Sequence, residues 1–387
     1  MNYHLFVTGC QQNVYDAEKI THLIEKMGYF ESDEKNADVI IAVACAVRQK
    51  PMDRIFGKLK IWNKLPQKPK IIIVGCVLPA DKKKLIDKVD SITSVDKFNT
   101  TLNKITHNYL LKKRHGVKRV SKINNISDGE NRNIFVPIMY GCNNFCSYCA
   151  VPYTRGREVS RPEIAIIDEV KNKVKDGAKE IMLLGQNVNS YQDIASLEIK
   201  SGSQAHRKDA SAIAPIKRTS FNDKLASYDN NFVNLLKKIE TIKYLEKISF
   251  MTSHPKDMSD DLIDWMAKSK KFSRELHLPV QSGDDDVLRK MNRHYTADRY
   301  VDLTSKLRTQ ISNLKLSTDI IVGFPGESEK QFQNTYNLCK KINFDKAYIS
   351  QYSPRPGTIA AKMNDDVSRA EKKRRWEVLE KLINKKG

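Results

Sequence analysis

The chain alternates short apolar runs with amphipathic stretches of helical period. Three runs stand out near its start, Leu5-Phe6-Val7, Val39-Ile40-Ile41-Ala42-Val43 and Ile71-Ile72-Ile73-Val74. Each is brief and rich in branched residues, the pattern of strands covered on both faces. Helical patterns at 16–28, 48–63 and 80–88 lie between and after them. Strands alternating with helices predict an open parallel sheet. From 134 to 362 the same rhythm returns. Strands are predicted at 134–140, 180–185, 247–252, 275–280, 317–322 and 346–352, and helices at 162–176, 231–243, 259–269, 297–312 and 328–342. Repeated strand–helix units in one domain predict an α/β barrel of parallel strands, here a partial (β/α)6 barrel.

Three segments break this rhythm. Residues 103–133 contain the basic run Lys112-Lys113-Arg114-His115-Gly116-Val117-Lys118-Arg119 and then a polar run from Asn124 to Asn131, and read as a basic linker. It is either a solvated connector or a strip that contacts phosphates. From Gln192 to about Asn230 the chain is rich in Ser, Ala, Lys and Asp without periodicity, and disorder is expected there. Residues 363–387 read as one charged helix, with Ser368 and Glu371 spaced as a capping box and Trp376, Leu379 and Ile383 as its apolar stripe. The expected organisation is an N-terminal α/β domain over 1–102, a linker over 103–133, a barrel over 134–362 and a terminal helix over 363–387.

Composition narrows the function. At 387 residues and 40% hydrophobic the chain can bury a normal core, which excludes a disordered tail protein. No apolar run approaches the ~20 residues of a membrane helix. The start, MNYHLFVTGCQQN, turns polar early and has no basic leader, so neither a membrane partner nor secretion is expected. Lys and Arg number 67 against 46 Asp and Glu, and 67 − 46 gives +21. That charge suggests a polyanion such as a nucleic acid; general solubility is the plainer alternative. Seven cysteines without a dense framework point to metal or catalytic use in a reducing cytoplasm.

Six of those cysteines form two groups. Cys142, Cys146 and Cys149 lie in Gly141-Cys142-Asn143-Asn144-Phe145-Cys146-Ser147-Tyr148-Cys149, a C-x3-C-x2-C after an apolar strand. Three thiolates on one loop can hold three irons of a cubane cluster and leave the fourth open to a ligand. A structural zinc site, the alternative, wants a fourth Cys or His nearby, and the nearest histidine in sequence, His115, has no finger-like spacing. Cys10, Cys45 and Cys76 each follow a predicted strand of one parallel sheet. Ligands of such sheets bind outside the carboxyl ends of the strands, so the three converge on one rim. Singly each reads as a small buried hydrophobe; together they read as a second three-thiolate site. Cys339 lies in a helical pattern and reads as core. His254 ends a strand and is either a site residue or a structural histidine.

The C-x3-C-x2-C with an aromatic before its last Cys resembles the signature of radical S-adenosylmethionine (SAM) enzymes. The surrounding text is more specific: Cys149-Ala150-Val151-Pro152-Tyr153-Thr154-Arg155-Gly156-Arg157-Glu158, Ser160-Arg161-Pro162, Gly9-Cys10-Gln11-Gln12-Asn13, Gly75-Cys76-Val77 and Leu184-Gly185-Gln186-Asn187-Val188-Asn189. With Thr252-Ser253-His254-Pro255, His277-Leu278-Pro279-Val280-Gln281-Ser282-Gly283, Asp319-Ile320-Ile321-Val322-Gly323-Phe324-Pro325-Gly326-Glu327 and Tyr352-Ser353-Pro354-Arg355-Pro356-Gly357-Thr358, the chain resembles the methylthiotransferases, and within them the MiaB-type tRNA enzymes. The resemblance covers nearly the whole chain apart from the linker and 192–230.

That resemblance implies two [4Fe-4S] clusters. Cys142, Cys146 and Cys149 would hold the one that binds SAM and cleaves it to methionine and a 5′-deoxyadenosyl radical. Cys10, Cys45 and Cys76 would hold an auxiliary cluster carrying the sulfur to be methylated by another SAM. The methylthio group would go to carbon 2 of an adenine after hydrogen abstraction. Gly185, Gln186, Asn187, Ser253, Gln281, Ser282, Gly323 and Glu327 end or follow barrel strands and are the candidates to contact SAM, with ordinary caps and turns as the alternative. Arg155, Arg157 and Arg161 are candidates to meet tRNA phosphate, with structural salt bridges as the alternative. The expected partners are tRNA and a reductant protein such as a flavodoxin or ferredoxin. The sulfur donor is open, and a cytoplasmic monomer is expected.

Two departures stand out. Members of the family usually carry a small C-terminal RNA-binding β-barrel, and this chain ends where that domain would begin. The basic linker and last helix would then supply phosphate contacts. The 192–230 stretch is longer than the family pattern and follows the second strand on the site side of a barrel. Rival substrates are N(6)-threonylcarbamoyladenosine in tRNA and an aspartate of a ribosomal protein; Val151-Pro152-Tyr153-Thr154 and Gly185-Gln186-Asn187-Val188-Asn189 favour isopentenyladenosine. The rival of another class is a non-catalytic RNA-binding protein with structural metal sites. A nucleoside-triphosphate enzyme is disfavoured by the lack of a G-x-x-x-x-G-K-[ST] loop.

Overall fold

The computed structural model describes residues 1–47, 49–112, 134–193 and 231–385. The expectations for most of the linker and for nearly all of 192–230 lie outside the described residues. In the first part, β1 (Asn2–Val7), α1 (Gln11–Lys26), β2 (Phe30–Glu31), β3 (Val39–Ala44), α2 (Gln49–Trp62), β4 (Lys70–Gly75), α3 (Pro79–Leu85), β5 (Ser91–Thr93) and α4 (Phe98–Lys112) follow in order. The strands form one parallel sheet in the order β2-β1-β3-β4-β5. All six residues of β3 are buried, which explains its unbroken apolar run. Alternation puts Val39, Ile41 and Val43 against Ile20 and Ile24 of α1 and Phe98 and Leu102 of α4. Ile40, Ala42 and Ala44 meet Met52, Ile55, Leu59 and Trp62 of α2 and Leu85 of α3. Each of the larger apolar side chains contributes roughly 1.5–3 kcal/mol by burial.

The second part runs β6 (Ile134–Pro137), β7 (Met139–Tyr140), α5 (Val151–Arg155), β8 (Val159–Ser160), α6 (Glu163–Lys175), β9 (Glu180–Leu184), α7 (Asn231–Glu240), β10 (Lys247–Phe250), α8 (Asp260–Lys268), β11 (Glu275–His277), α9 (Asp285–Lys290), α10 (Ala297–Gln310), β12 (Lys315–Val322), α11 (Glu329–Ile342), β13 (Lys346–Gln351) and α12 (Arg369–Ile383). Two parallel triplets, β6-β9-β10 and β11-β12-β13, adjoin through a bridge from Ile248 to Phe272 and a 3.4 Å bond from Ser253 N to His277 O. The result is an incomplete six-stranded barrel. Among the described residues neither β6 nor β13 has a second strand neighbour.

An uncovered edge invites foreign pairing, and α12 blunts the one at β13. Trp376 Nε1 donates to Ile349 O at 3.0 Å, and the Asn384 amide exchanges two bonds with Ala347, at 2.8 and 3.0 Å. Leu379 and Ile383 are buried in the barrel core, as the apolar stripe predicts. Cys339 is there too, as expected.

The structure differs from the pattern reading at several points. α4 runs through position 102, so the N-terminal unit extends past the expected boundary and takes in the start of the expected linker. The strand expected over 275–280 stops at His277, because Pro279 has no N–H to donate and Gln281 adopts φ +70°. Only half of the capping box of α12 forms. Ser368 accepts from Glu371 N at 3.2 Å, but the Glu371 carboxylate turns to Arg374 and Arg375. The terminal helix therefore spends its cations internally: Arg375 also pairs with Glu327, and Lys372 with Asp365. Expected phosphate contacts from this helix lose those three side chains. Among the described residues no helix is long and apolar enough to cross a membrane.

Candidate active site

Three adjacent strands set the first group of thiols. Cys45 and Cys76 directly follow β3 and β4, and Cys10 follows β1 by the turn Thr8-Gly9 and opens α1. Gly9 adopts φ +113°, and a Cβ there would lie 2.3 Å from Cys45 Cβ, so glycine is what lets these two cysteines meet. A hydrogen bond from Cys45, helped by Arg155, lowers the Cys10 pKa to about 6, while the same bond and burial push Cys45 up. Burial raises Cys76, against Arg155.

Arg155 comes from the other half of the molecule. It ends α5, which begins two residues after Cys149, yet its Nε donates to Cys76 Sγ at 2.9 Å. Its Nη2 donates to Asn13 Oδ1 at 3.0 Å and lies 3.5 Å from Asp16 Oδ2. Asn13 is fully buried and also donates to Thr8 O at 2.7 Å, which fixes its amide. Ala150, next to Cys149, packs with Cys76, Ala46 and Leu78. The two cysteine groups thus share one interface. Arg155 stands six positions after Cys149 in the chain, at the end of α5.

A second arginine closes the opposite side. Arg355 pairs with Gln49 at the start of α2, and its Nη2 lies 3.6 Å from Asp81 Oδ2 on α3. The Arg355 and Asp81 side chains are 3% and 5% exposed. Burial lowers the Arg355 pKa, opposed by Asp81 and then Cys45.

The second group sits on the loop between β7 and α5. Gly141 adopts φ +71°, and a Cβ there would meet Arg157 O at 2.1 Å. Asn144 N and Val151 N each lie 3.5 Å from a thiol sulfur, of Cys142 and Cys149 respectively. The loop is held by a segment that sequence reasoning missed. Ser147 N donates to Met291 O at 3.0 Å, and Asn292 Nδ2 donates to Asn144 O and Phe145 O. Buried Arg293 donates to Cys146 Sγ at 3.5 Å and to Pro279 O at 2.8 Å. Burial, and after it Cys146, push Cys149 up to about 12. No spacing marks Met291-Asn292-Arg293, because its role depends on a loop 147 to 148 positions away in sequence.

Both donor sets have the chemistry that a cubane takes. Each offers three thiols, and among the described residues no three His, Cys, Asp or Glu side chains are placed to hold a single metal ion. Thiolates that each take a separate iron need not converge on one point. Among the described residues the zinc alternative gains no fourth ligand, and His115 lies outside them.

The other candidates divide. Asn187 Oδ1, Ser253 Oγ and Gln281 Oε1 are buried without a hydrogen-bond partner, as is Asn189 Oδ1, and they follow β9, β10 and β11. Unpaired buried polar atoms are costly, and four beyond the carboxyl ends of barrel strands suit a polar ligand. Gly185 packs closely on Met139, and Gln186 beside it is half-buried. Ser282 is instead committed to Thr335 and to Asp284 N. Glu327 accepts from Gly323 N at 2.6 Å and from Arg375 at 2.8 Å, leaving one oxygen, Oε1, unpartnered. His254 caps the turn at Pro255 by accepting from Lys256 N, the structural alternative. Of the three arginines expected at phosphate, Arg155 is buried at the thiols, and Arg161 is tied to Glu169 and Pro137 O. Only Arg157 is exposed, stacked 4.3 Å over the Phe145 ring. Arg155 and Arg161 thus take the structural alternative, one on a buried thiol and one on a partly buried glutamate.

Comparison with known proteins agrees with this geometry. Residues 136–339 match the radical SAM superfamily, and residues 2–95 match uncharacterized protein family UPF0004. The chain is 41% identical over 390 residues to the tRNA-2-methylthio-N(6)-dimethylallyladenosine synthase of Clostridium botulinum (strain Okra / Type B1), covering 97% of this chain and 80% of that protein. It is 39% identical to the protein of that name from Thermoanaerobacter sp. (strain X514), covering 99% and 78%. Among solved structures, the radical SAM methyltransferase TsrM from Kitasatospora setae, with cobalamin and a [4Fe-4S] cluster bound, superposes with a TM-score of 0.56 at 12% identity. That match covers 93% of this chain and 77% of that one.

Proposed function

Because the chain belongs to the radical SAM superfamily and, within it, to the family of the tRNA-2-methylthio-N(6)-dimethylallyladenosine synthases, we propose that it inserts a methylthio group at carbon 2 of N(6)-isopentenyladenosine next to the anticodon of tRNA. The observation that carries this reading is the meeting of two three-thiol groups across one interface, bridged by Arg155 on Cys76. Cys142, Cys146 and Cys149 would hold one [4Fe-4S] cluster, and Cys10, Cys45 and Cys76 the other. Bound there, the clusters and SAM supply a 5′-deoxyadenosyl radical and a sulfur for insertion.

The protein's own part is placement. Arg293 and Asn292 fix the first loop, and Asn13 and Arg155 fix the second site. Asn187, Asn189, Ser253 and Gln281 would orient SAM through their unpaired atoms, with Gly185 and Gln186 lining the same strand end. Glu327 would offer its one remaining oxygen, Oε1, and Gly323 the backbone beside it. With the two sites joined through Arg155 and Ala150, one bound adenine would face both reagents without release, and two encounters would become one. The 5′-deoxyadenosine and methionine products would leave with each turnover. Exposed Arg157 on Phe145 would be the phosphate contact beside the site. Electrons would come from a flavodoxin- or ferredoxin-like protein in the cytoplasm, and the enzyme would act as a monomer.

Nucleoside mass spectrometry tests the reading. Anaerobically reconstituted protein, SAM, a reductant and tRNA bearing isopentenyladenosine should yield a 2-methylthio nucleoside. Release of 5′-deoxyadenosine without that product would reject this substrate, and neither product with both clusters intact would reject the activity.

A further inference from the structure

We infer that the barrel completes the auxiliary site: Arg155 is a positioning residue that holds its charge on the Cys76 sulfur and thereby sets the reduction potential of the cluster there. This rests on the reading that Cys10, Cys45 and Cys76 hold a cluster. The guanidinium lies on Cys76 at 2.9 Å, is 10% exposed, and is anchored by Asn13 at 3.0 Å and Asp16 at 3.5 Å. All three groups that orient or receive it belong to the N-terminal sheet domain, while Arg155 belongs to α5 beside the other cysteine loop. A second barrel cation, Arg355, stands on the Cys45 side with Nε and Nη2 buried and without a hydrogen-bond partner.

Physical reasoning sets the sign. Reduction adds negative charge to a cluster, and a fixed cation hydrogen-bonded to a ligand sulfur favours the reduced state. In a buried site that attraction is only weakly screened. Asp16 partly offsets Arg155, so removing the carboxylate has the opposite effect to removing the guanidinium. A residue that only shaped the backbone would have no such sign.

The test uses the full chain carrying Cys142→Ala, Cys146→Ala and Cys149→Ala, so that only the auxiliary site takes iron. After anaerobic reconstitution, iron and sulfide are counted and the midpoint is read by dithionite-poised EPR titration. Relative to this background, Arg155→Gln should lower the midpoint, Arg155→Lys should lower it less, and Asp16→Asn should raise it. Should Arg155→Gln fail to fold, the opposite displacements of Arg155→Lys and Asp16→Asn still decide. Coincident midpoints, or displacement of all variants in one direction, would overturn the inference while leaving the two-cluster reading in place. A background protein that takes up no iron would overturn both.

Discussion

Arg155 Nε lies 2.9 Å from Cys76 Sγ, although the two residues belong to different halves of the molecule and stand 79 positions apart. One side chain therefore ties the loop that would bind SAM to the site that would supply sulfur. The arrangement makes the two sites mechanically dependent and chemically separable.

Chemical separation gives the first prediction. Cys146→Ala should abolish 5′-deoxyadenosine release, whereas Cys45→Ala should keep that release and abolish the methylthio product. Each variant should lose one cluster, about four irons per chain. Equal loss of 5′-deoxyadenosine in both folded variants would contradict the division.

Two glycines should behave as specifically. Gly9→Ala would press a methyl group onto Cys45 and Gly141→Ala would press one onto the Arg157 carbonyl, both at positive φ. Strain of about 1–3 kcal/mol is expected at each, relieved by moving the loop. Iron analysis should show Gly9→Ala deficient at the auxiliary site and Gly141→Ala at the other. Full iron in both would mean that the loops yield without moving the thiols.

Arg355 and Asp81 join the two halves through a buried ion pair. Arg355→Ala leaves Asp81 buried without its cation, at a cost of about 3–5 kcal/mol. Urea denaturation should show that loss, and Arg355→Ala combined with Asp81→Ala should recover part of it. A double variant no better than the single one would exclude coupling between them.

Acid should weaken the fold through His254. Burial, then Arg293, Lys256 and His294, push its pKa far below the usual value of about 6.5. Below that value the unfolded chain takes up a proton that the folded protein refuses. Stability from this group is therefore complete above about pH 6.5 and falls by roughly 1.4 kcal/mol per unit below it, until the folded pKa is reached. Urea midpoints measured from about pH 7.5 to about pH 5 should decline less steeply in His254→Asn than in the parent chain. Parallel declines would remove His254 from the account.

Much of this architecture is legible in local pattern. The all-buried run Val39–Val43 became the central strand, and the eight-residue strand Lys315–Val322 contains the run expected at 317–322. Short elements were not legible. β2, β5, α5 and α9 are two to six residues long, too short for a period to appear, and they owe their form to neighbours. The cysteines were legible because their spacing relative to strand ends is a local property of the chain.

What the sequence determined by itself was the sheet, the barrel and the grouping of the cysteines, because periodicity and spacing are written along one dimension; the family came from the resemblance of its motifs. Tertiary structure alone decided where the arginines went. Arg155, Arg157 and Arg161 look alike in sequence within one short segment, yet one lies on a thiol, one on an aromatic ring and one on a glutamate. A long cationic side chain takes whichever partner the fold brings within its reach, and for Arg155 that partner, Cys76, is set by the docking of the two halves, which no local pattern encodes.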